Sequence, residues 1–366
     1  MYPKVSIIIP VCNGEKKIKK TVKRLLKQDY PNFELILVEN GSTDRTLDIC
    51  KEFEKKDSRV VALHSDDKGI ILARKKGVLN ADSKYVLFHD DDDRYINNSA
   101  VSAMVKSAEK SQADVCQFRH ISKYLWRKRI VGFDEELIIS REQLLQEDIA
   151  GILGGYKQRL NSATWSKIYK TSILKEILKD VEVPLIYAED MYLNTLYYFN
   201  DMVRTVAYNP LYFYVYNTGI GVIGISQAGE RVFDAYQFFK AKAMQLAREK
   251  GAGEQPIYLG QRESLRFLDA LVKNMIISGQ SREEIVEKIR KYYTYNFVID
   301  AKNYFREYMK SHELDQDMSY FASEESPEAY YEHCLSSIPD LKKQQMKAKA
   351  KSVLRRIVRV IYTKKL

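Results

Sequence analysis

The sequence predicts an α/β fold, a largely parallel sheet covered by helices, and three observations predict it. Short β-branched runs alternate with amphipathic stretches through the first hundred residues. Each run closes on a turn signal, and polar residues gather at those closures: Asn13-Gly14-Glu15, Glu39-Asn40-Gly41-Ser42 and Asp90-Asp91-Asp92-Asp93. Such alternation is the pattern of parallel strands joined by crossover helices. Ligands of these sheets bind beyond the carboxyl ends of the strands, where the three polar clusters fall.

The elements follow in order. Val5 to Pro10 suits a buried strand, and Asn13-Gly14 turns the chain. Ile18, Val22, Leu25 and Leu26 share one stripe of a helix. Phe33 to Val38 is a second strand, after which Ser42 or Thr43 is expected to cap a helix running through Phe53. Val60 to Leu63, Ile70 to Leu79 and Tyr85 to Phe88 read as strand, helix and strand. From Val101 to Tyr216 the pattern is mixed, with an extended segment over Tyr124 to Val131 and a strand-like run from Leu211 to Tyr216. Arg231 to about Met309 is helical, and Ser281-Arg282-Glu283-Glu284 forms a capping box. Residues 311–330 are polar and acid-rich and read as a loop or linker. The expected organisation is one α/β domain over residues 1–220, a mostly helical extension over 221–340 and a basic tail over 341–366.

Composition excludes several classes. With 45% hydrophobic and 30% charged residues, the 366-residue chain is not broadly disordered. Cys12, Cys50, Cys116 and Cys334 are scattered with no Cys-x-x-Cys pair, so neither a zinc site nor a disulfide framework is expected. The apolar run from Val5 to Val11 is short and broken by Pro10, unlike a secretory leader, and no run is long enough to span a bilayer. A cytoplasmic location is expected. The 26 tyrosines suit sugar contacts, but helix packing accounts for most of them. The net charge of +10 is local: Lys342 to Leu366 holds ten basic and no acidic residues, and removing those ten from the 59 Lys and Arg leaves 49, matching the 49 Asp and Glu. A neutral body argues against a nucleic-acid partner.

The four adjacent carboxylates after Phe88 repel one another, which disfavours folding unless a cation sits among them. A hard divalent ion held by one or two carboxylates and by substrate phosphates supplies that charge. An acidic surface loop is the plain alternative. His89 lies beside the run, but strand alternation points it away, so a core role is expected.

Val5-Ser6-Ile7-Ile8-Ile9-Pro10-Val11-Cys12-Asn13, then Ile36-Leu37-Val38-Glu39-Asn40-Gly41-Ser42-Thr43-Asp44, then Asp90-Asp91-Asp92-Asp93 resemble glycosyltransferase family 2. The resemblance continues in order through about the first 220 residues. Thr164-Trp165-Ser166-Lys167-Ile168-Tyr169 is similar to the family's Trp-x-Lys-Leu-Tyr segment, Ala188-Glu189-Asp190 to its Glu-Asp motif, and Leu211 to Tyr216 to its Tyr-Tyr-Tyr-Arg strand. It implies a GT-A fold, inversion at the anomeric carbon, a UDP-sugar or related nucleotide-sugar donor, and Mn2+ or Mg2+. Asp90 and Asp92 match the family's Asp-x-Asp, which implies that Asp92 holds the metal and Asp90 contacts ribose or a metal-bound water. Pro10, Val11, Asn13, Glu15, Glu39, Asn40 and Asp91 join Asp90 in the implied donor site, and Asp190 becomes the general base supported by Glu189. Trp165 shapes the acceptor side, and the implied acceptor is a glycan or lipid-linked hydroxyl in surface-polysaccharide or lipopolysaccharide assembly.

Three positions depart from the family pattern. Cys12 stands where Tyr is usual, Asn40 where Asp is usual, and Val215 where Arg is usual. The last moves the cationic diphosphate contact elsewhere, to Arg74 or Lys68. These departures leave room for a catalytically silent nucleotide-sugar-binding or scaffold subunit. A nucleotidyltransferase, which also unites sheet, metal and phosphates, is the other alternative. In the tail, Leu354, Ile357, Val358 and Ile361 form one face of a basic amphipathic helix, expected to lie on the inner face of the plasma membrane. A tail docked on the body is the alternative.

Overall fold

The computed structural model describes residues 2–124, 127–154, 158–217, 230–314, 316–348 and 350. Its centre is a ten-stranded sheet. The strands are β1 (Val5–Val11), β2 (Phe33–Glu39), β3 (Val60–His64), β4 (Tyr85–Phe88), β5 (Arg94–Tyr95), β6 (Val115–Tyr124), β7 (Arg127–Val131), β8 (Leu137–Ser140), β9 (Lys167–Lys170) and β10 (Thr205–Asn217). They run in the order β3-β2-β1-β4-β9-β6-β10-β5, with β7 added to β6 and β8 to β10. The half built from β3, β2, β1 and β4 is parallel, as the strand–helix alternation predicts. The other half is mixed, because β9 enters antiparallel to both β4 and β6.

Strand alternation sorts the apolar residues into two cores, one on each face. Ile8, Ile36, Val38, Val86 and Phe88 enter one, and Ile7, Ile9, Leu35, Leu37 and Leu87 enter the other. Helix α1 (Ile18–Leu25), α2 (Thr46–Lys56) and α4 (Ala100–Ser111) cover the second face. Helix α3 (Ile70–Asn80) covers the first with Ile71, Ala73 and Val78. A methyl group on Gly77 would lie 2.5 Å from Ile8 Cγ2, so glycine lets α3 sit close on the sheet. That approach buries Arg74, one turn earlier, at the strand ends.

Helix α5 (Arg141–Gln146), α6 (Thr171–Leu178) and α7 (Glu189–Phe199) complete the first face. Helices at Glu230–Glu249, Glu254–Ser278, Arg282–Tyr292 and Asn296–Tyr308 pack on them, so the extension shares one core with the sheet. Ser281 and Glu284 form the expected capping box. Residues 311–330 depart from the loop expectation: Gln316–Ser323 and Pro327–Ser336 are helices whose Met318, Phe321 and Tyr330 are buried. Their acids mask that apolar spacing in sequence. Nor does Ser42 or Thr43 cap α2: the cap position is Arg45, without a side-chain capping bond, and Asp44 Oδ1 accepts from Thr46 N at 3.0 Å just ahead of it. Among the described residues no helix is long and apolar enough to cross a membrane. Residues 341–348 are helical, and the apolar stripe from Leu354 to Ile361 lies outside the described residues.

Lys240 ties the extension to the body. Its buried amine donates to Leu153 O and, at 2.8 Å, to Gly260 O. Burial pushes the amine down to about 7, against the opposing charge of Glu263, from an ordinary 10.5. Between those values the unfolded chain binds the extra proton, so stability rises with pH through that window. The unfolding free energy of the wild type, from urea titrations, should therefore climb between pH 7 and pH 9 relative to K240M, by on the order of 1 kcal/mol, and the midpoint with it. Parallel midpoints would refute this.

Candidate active site

The ends of β2, β1 and β4 lie side by side, which brings the three polar turns together. The first two interlock. Asn13 Oδ1 accepts from Thr43 N at 2.9 Å, Asn13 N donates to Ser42 Oγ at 2.9 Å, and Glu15 Oε2 accepts from Arg45 N at 3.0 Å. Asn13 and Glu15, expected to meet the donor, thus use these side-chain atoms to clamp the second turn. Asn13 is held at φ 49°, a strained position that Asn tolerates better than most residues. Pro10 and Val11 form the floor at the end of β1, with Val11 buried and Cys12 exposed.

Glu39 is buried and accepts from Ser42 N and from His64 Nδ1. Burial alone would raise its carboxyl, but these bonds outweigh it and hold Glu39 below its ordinary range. Glu39 therefore stays charged and braces the turn. Asn40 N donates to Val11 O at 2.9 Å, while its buried Oδ1 has no hydrogen-bond partner among the described residues. That leaves an unsatisfied acceptor at the end of β2 for a ligand donor. Lys68 lies along Gly41, within 3.8 Å of where a Cβ would stand.

The acidic run is dispersed among different partners. Asp90 Oδ1 lies 3.4 Å from Arg74 Nη2. Asp91 Oδ2 lies so close to Gly14 that a Cβ there would meet it at 2.8 Å. Asp92 Oδ2 accepts from Lys17 Nζ at 3.1 Å. Asp93 Oδ1 accepts from Asn217 N at 2.8 Å, and the Tyr214 hydroxyl lies against the same carboxylate. Burial pushes Asp91 up to about 6 against Lys17, and burial with the charge of Asp92 pushes Asp93 up to about 7. Part of the charge expected of a metal is thus supplied by Lys17 and Arg74. His89 is wholly buried, packs edge-on to Tyr95 and Tyr214, and is pushed down to about 4 by burial, as its core reading predicts.

Across the acid run, Glu189 and Asp190 open α7 behind Ala188, held at φ 55°. The helix dipole favours acids in that first turn. Arg74 Nη1 reaches Glu189 Oε1 at 3.0 Å and Asp190 Oδ1 at 2.8 Å, and is 2% exposed. Its charge is thus committed to three acids, which differs from the diphosphate contact expected of it. Burial, and next the charge of Asp190, push Glu189 up to about 7.

Asp190 is oriented from a second side. Thr164 Oγ1 donates to its Oδ1 at 2.8 Å, whereas Oδ2 makes no hydrogen bond among the described residues. The turn carrying Thr164 is itself pinned. Lys167 Nζ donates to Asn161 O at 2.8 Å and to Ala163 O, and Asn194 Nδ2 donates to Ser162 O at 2.8 Å. Trp165 stacks on Tyr214 and Tyr216, with centroids 5.0 and 4.8 Å away, and is only 8% exposed. The more open ring on this side belongs to Tyr216, whose hydroxyl feels Asp93, Asp90 and Asp190.

Sequence reasoning passed over Lys17, His64, Thr164, Asn217 and the role of Tyr216. One signal was available for Lys17: α1 opens on cations with no acid in its first turn, unfavourable unless acids lie opposite. Thr164 carried only its place beside Trp165.

Comparison with known proteins agrees with this geometry. The pattern described as Glycosyl transferase family 2 matches residues 6–166. Glycosyltransferase GlyA of Streptococcus pneumoniae is 29% identical over 206 residues, covering 53% of this chain and 28% of GlyA. The poly(ribitol-phosphate) beta-N-acetylglucosaminyltransferase TarS of Staphylococcus aureus is 27% identical over 216 residues, covering 58% of this chain and 35% of TarS. The chain thus spans about a third of the length of these relatives. In structure, residues 1–349 of S. aureus TarS superpose with a TM-score of 0.65 at 20% identity, covering 91% of this chain and 90% of that one. The same fragment is solved with UDP-GlcNAc, with a TM-score of 0.58, 18% identity and coverage of 90% and 92%. A mannosyltransferase of Pyrobaculum calidifontis, solved with GDP-Man and Mn2+, has a TM-score of 0.50 at 15% identity, with coverage of 92% and 87%. The likeness is one of fold, GT-A with a helical C-terminal region. Residues 6–166, which carry the interlocked turns and the acidic run, are the part of the chain that is similar to glycosyl transferase family 2.

Proposed function

We propose that the chain is an inverting glycosyltransferase that moves a sugar from a UDP-sugar to a hydroxyl of a glycan or lipid-linked acceptor, in bacterial surface-polysaccharide or lipopolysaccharide assembly. One observation carries the reading. Asp190 has one oxygen fixed by Thr164 and Arg74 and the other without a hydrogen bond among the described residues, and Arg74 ties it to Asp90 of the acidic run. A base fixed in this way takes the proton of an acceptor hydroxyl through Oδ2. That acceptor oxygen bonds to the anomeric carbon as the bond to the diphosphate breaks on the opposite face, which inverts the centre. Tyr216 and Trp165 wall the acceptor side, and Asn40 Oδ1 offers an acceptor to the nucleoside.

The residues present fit a divalent ion. Asp92 Oδ1 makes no hydrogen bond among the described residues, and it lies within the acidic run. Among the described residues no group of three His, Cys, Asp or Glu side chains is placed to hold a metal ion by itself, so Asp92 would share Mn2+ or Mg2+ with the donor phosphates. Such an ion, when bound, offsets the charge developing on the departing diphosphate. TarS with UDP-GlcNAc and the mannosyltransferase with Mn2+ support donor and ion by analogy of fold. The basic tail supports a peripheral place on the cytoplasmic side of the plasma membrane.

The test is nucleoside diphosphate release from a panel of nucleotide-sugars, with Mn2+ or EDTA. One donor should be hydrolysed slowly, and EDTA or D92A should cut the rate about 100-fold. Release of inorganic pyrophosphate instead would point to nucleotidyl transfer, and absence of donor binding by calorimetry would overturn the reading.

A further inference from the structure

From Val115 to Phe133 the chain has no acidic residue but holds Arg119, Lys123, Arg127, Lys128 and Arg129. Arg119 pairs with Asp134, and the other four have no ion pair among the described residues. Strand register gathers three cations on one face. Lys123 stands directly opposite Lys128 across β6 and β7, and opposite Asn217 across β6 and β10. Val215, two residues before Asn217, faces Arg94 of β5. Since side chains two apart share a face, Lys123, Lys128 and Arg94 stand together. Like charges placed directly opposite destabilise a strand pair, so this arrangement lacks an anion. The Lys123 amine is held below its ordinary value by burial, then by Arg94 and Lys128, as expected of crowded cations. Arg94 also lines, with Arg24, Gln28 and Asn98, a cavity of about 90 Å3.

The place of this cluster decides its role. Asn217 donates to Asp92 O at 2.7 Å and to Asp93 Oδ1, so the cations begin beside the acidic run. They lie on β5, β6 and β7, in the half of the sheet away from the donor turns of β1 and β2. We propose that Lys123, Lys128 and Arg94 form an acceptor subsite for a polyanionic glycan, one that carries repeated negative groups along its chain. The proposal rests on the glycosyltransferase reading for the word acceptor, and on the register alone for the anion site.

The experiment measures binding of inorganic polyphosphate to the full chain by fluorescence anisotropy at low and moderate salt. K123S/K128S should bind at least five-fold more weakly than wild type at low salt and show a shallower salt dependence, because exposed charges are screened. The charge-matched K51S/K55S on α2 should bind as wild type. K128E, which sets opposite charges across the ladder, should bind weakly while melting no lower than wild type, which separates binding loss from misfolding. Equal affinity in all four proteins overturns the subsite. Lysine-dependent binding to anionic vesicles with no binding of polyphosphate also overturns it, and assigns the face to a membrane surface. Calorimetry with a nucleotide-sugar on the same proteins reports the donor site separately. Lost donor binding with retained lysine-dependent polyphosphate binding therefore sinks the transferase reading rather than the anion site.

Discussion

D190N should abolish sugar transfer while leaving the donor bound. The substitution preserves size, and the amide oxygen can still accept from Thr164. It removes the carboxylate oxygen that, in the proposed reaction, takes the acceptor proton, and general-base catalysis contributes about 100- to 10,000-fold. A fall of kcat in that range is expected, with donor affinity within about two-fold of wild type, since Asp190 reaches the donor side only through Arg74. Donor hydrolysis should fall less than transfer, because water competes without a positioned base.

E189Q is the informative comparison. Glu189 is adjacent in sequence, yet its Oε1 is bound by Arg74 and its carboxyl is pushed up by burial and by Asp190. Its expected loss is therefore smaller. If E189Q lost more activity than D190N, the base would be Glu189 and the roles would exchange. In D190N the second cause of the Glu189 shift is gone, so that carboxyl should titrate lower, visible by carboxylate infrared difference spectra.

The parallel half of the fold was legible because buried parallel strands need continuous apolar runs, and Val5 to Val11 and Phe33 to Val38 have them. β9 was not. It is four residues long, and its antiparallel entry depends on partners more than thirty residues away in sequence. The carboxylates of the site were legible because four together, or two at a helix start, are conspicuous. Their partners were not. Thr164, Lys17 and Asn217 matter through contacts that join distant segments, and a lone Thr or Asn carries no periodic signature. Arg74 shows the limit best: the sequence marked it as a cation for phosphate, whereas burial beside three acids gives it another task.

R74M should be the most destabilising single substitution in the site. Met keeps most of the unbranched stem that packs in the core near Phe88, so the change isolates the charge. Three carboxylates, Asp90, Glu189 and Asp190, would then face one another without their cation. Removing one partner of a buried ion pair costs about 3–5 kcal/mol, more than most surface pairs ever contribute. The urea midpoint should therefore fall sharply at pH 7.5. It should recover partly at pH 5.5, where the folded state can hold protons on these acids, because burial and mutual repulsion already raise Asp90 and Glu189. R74K tests whether charge alone suffices. A single ammonium supplies the charge but not the fork that spans Asp90 on one nitrogen and both acids of α7 on the other. R74K should thus regain most of the stability and little of the transfer rate. If R74K restored both, the geometry linking the acidic run to the base would be irrelevant to catalysis, and Arg74 would act through charge alone.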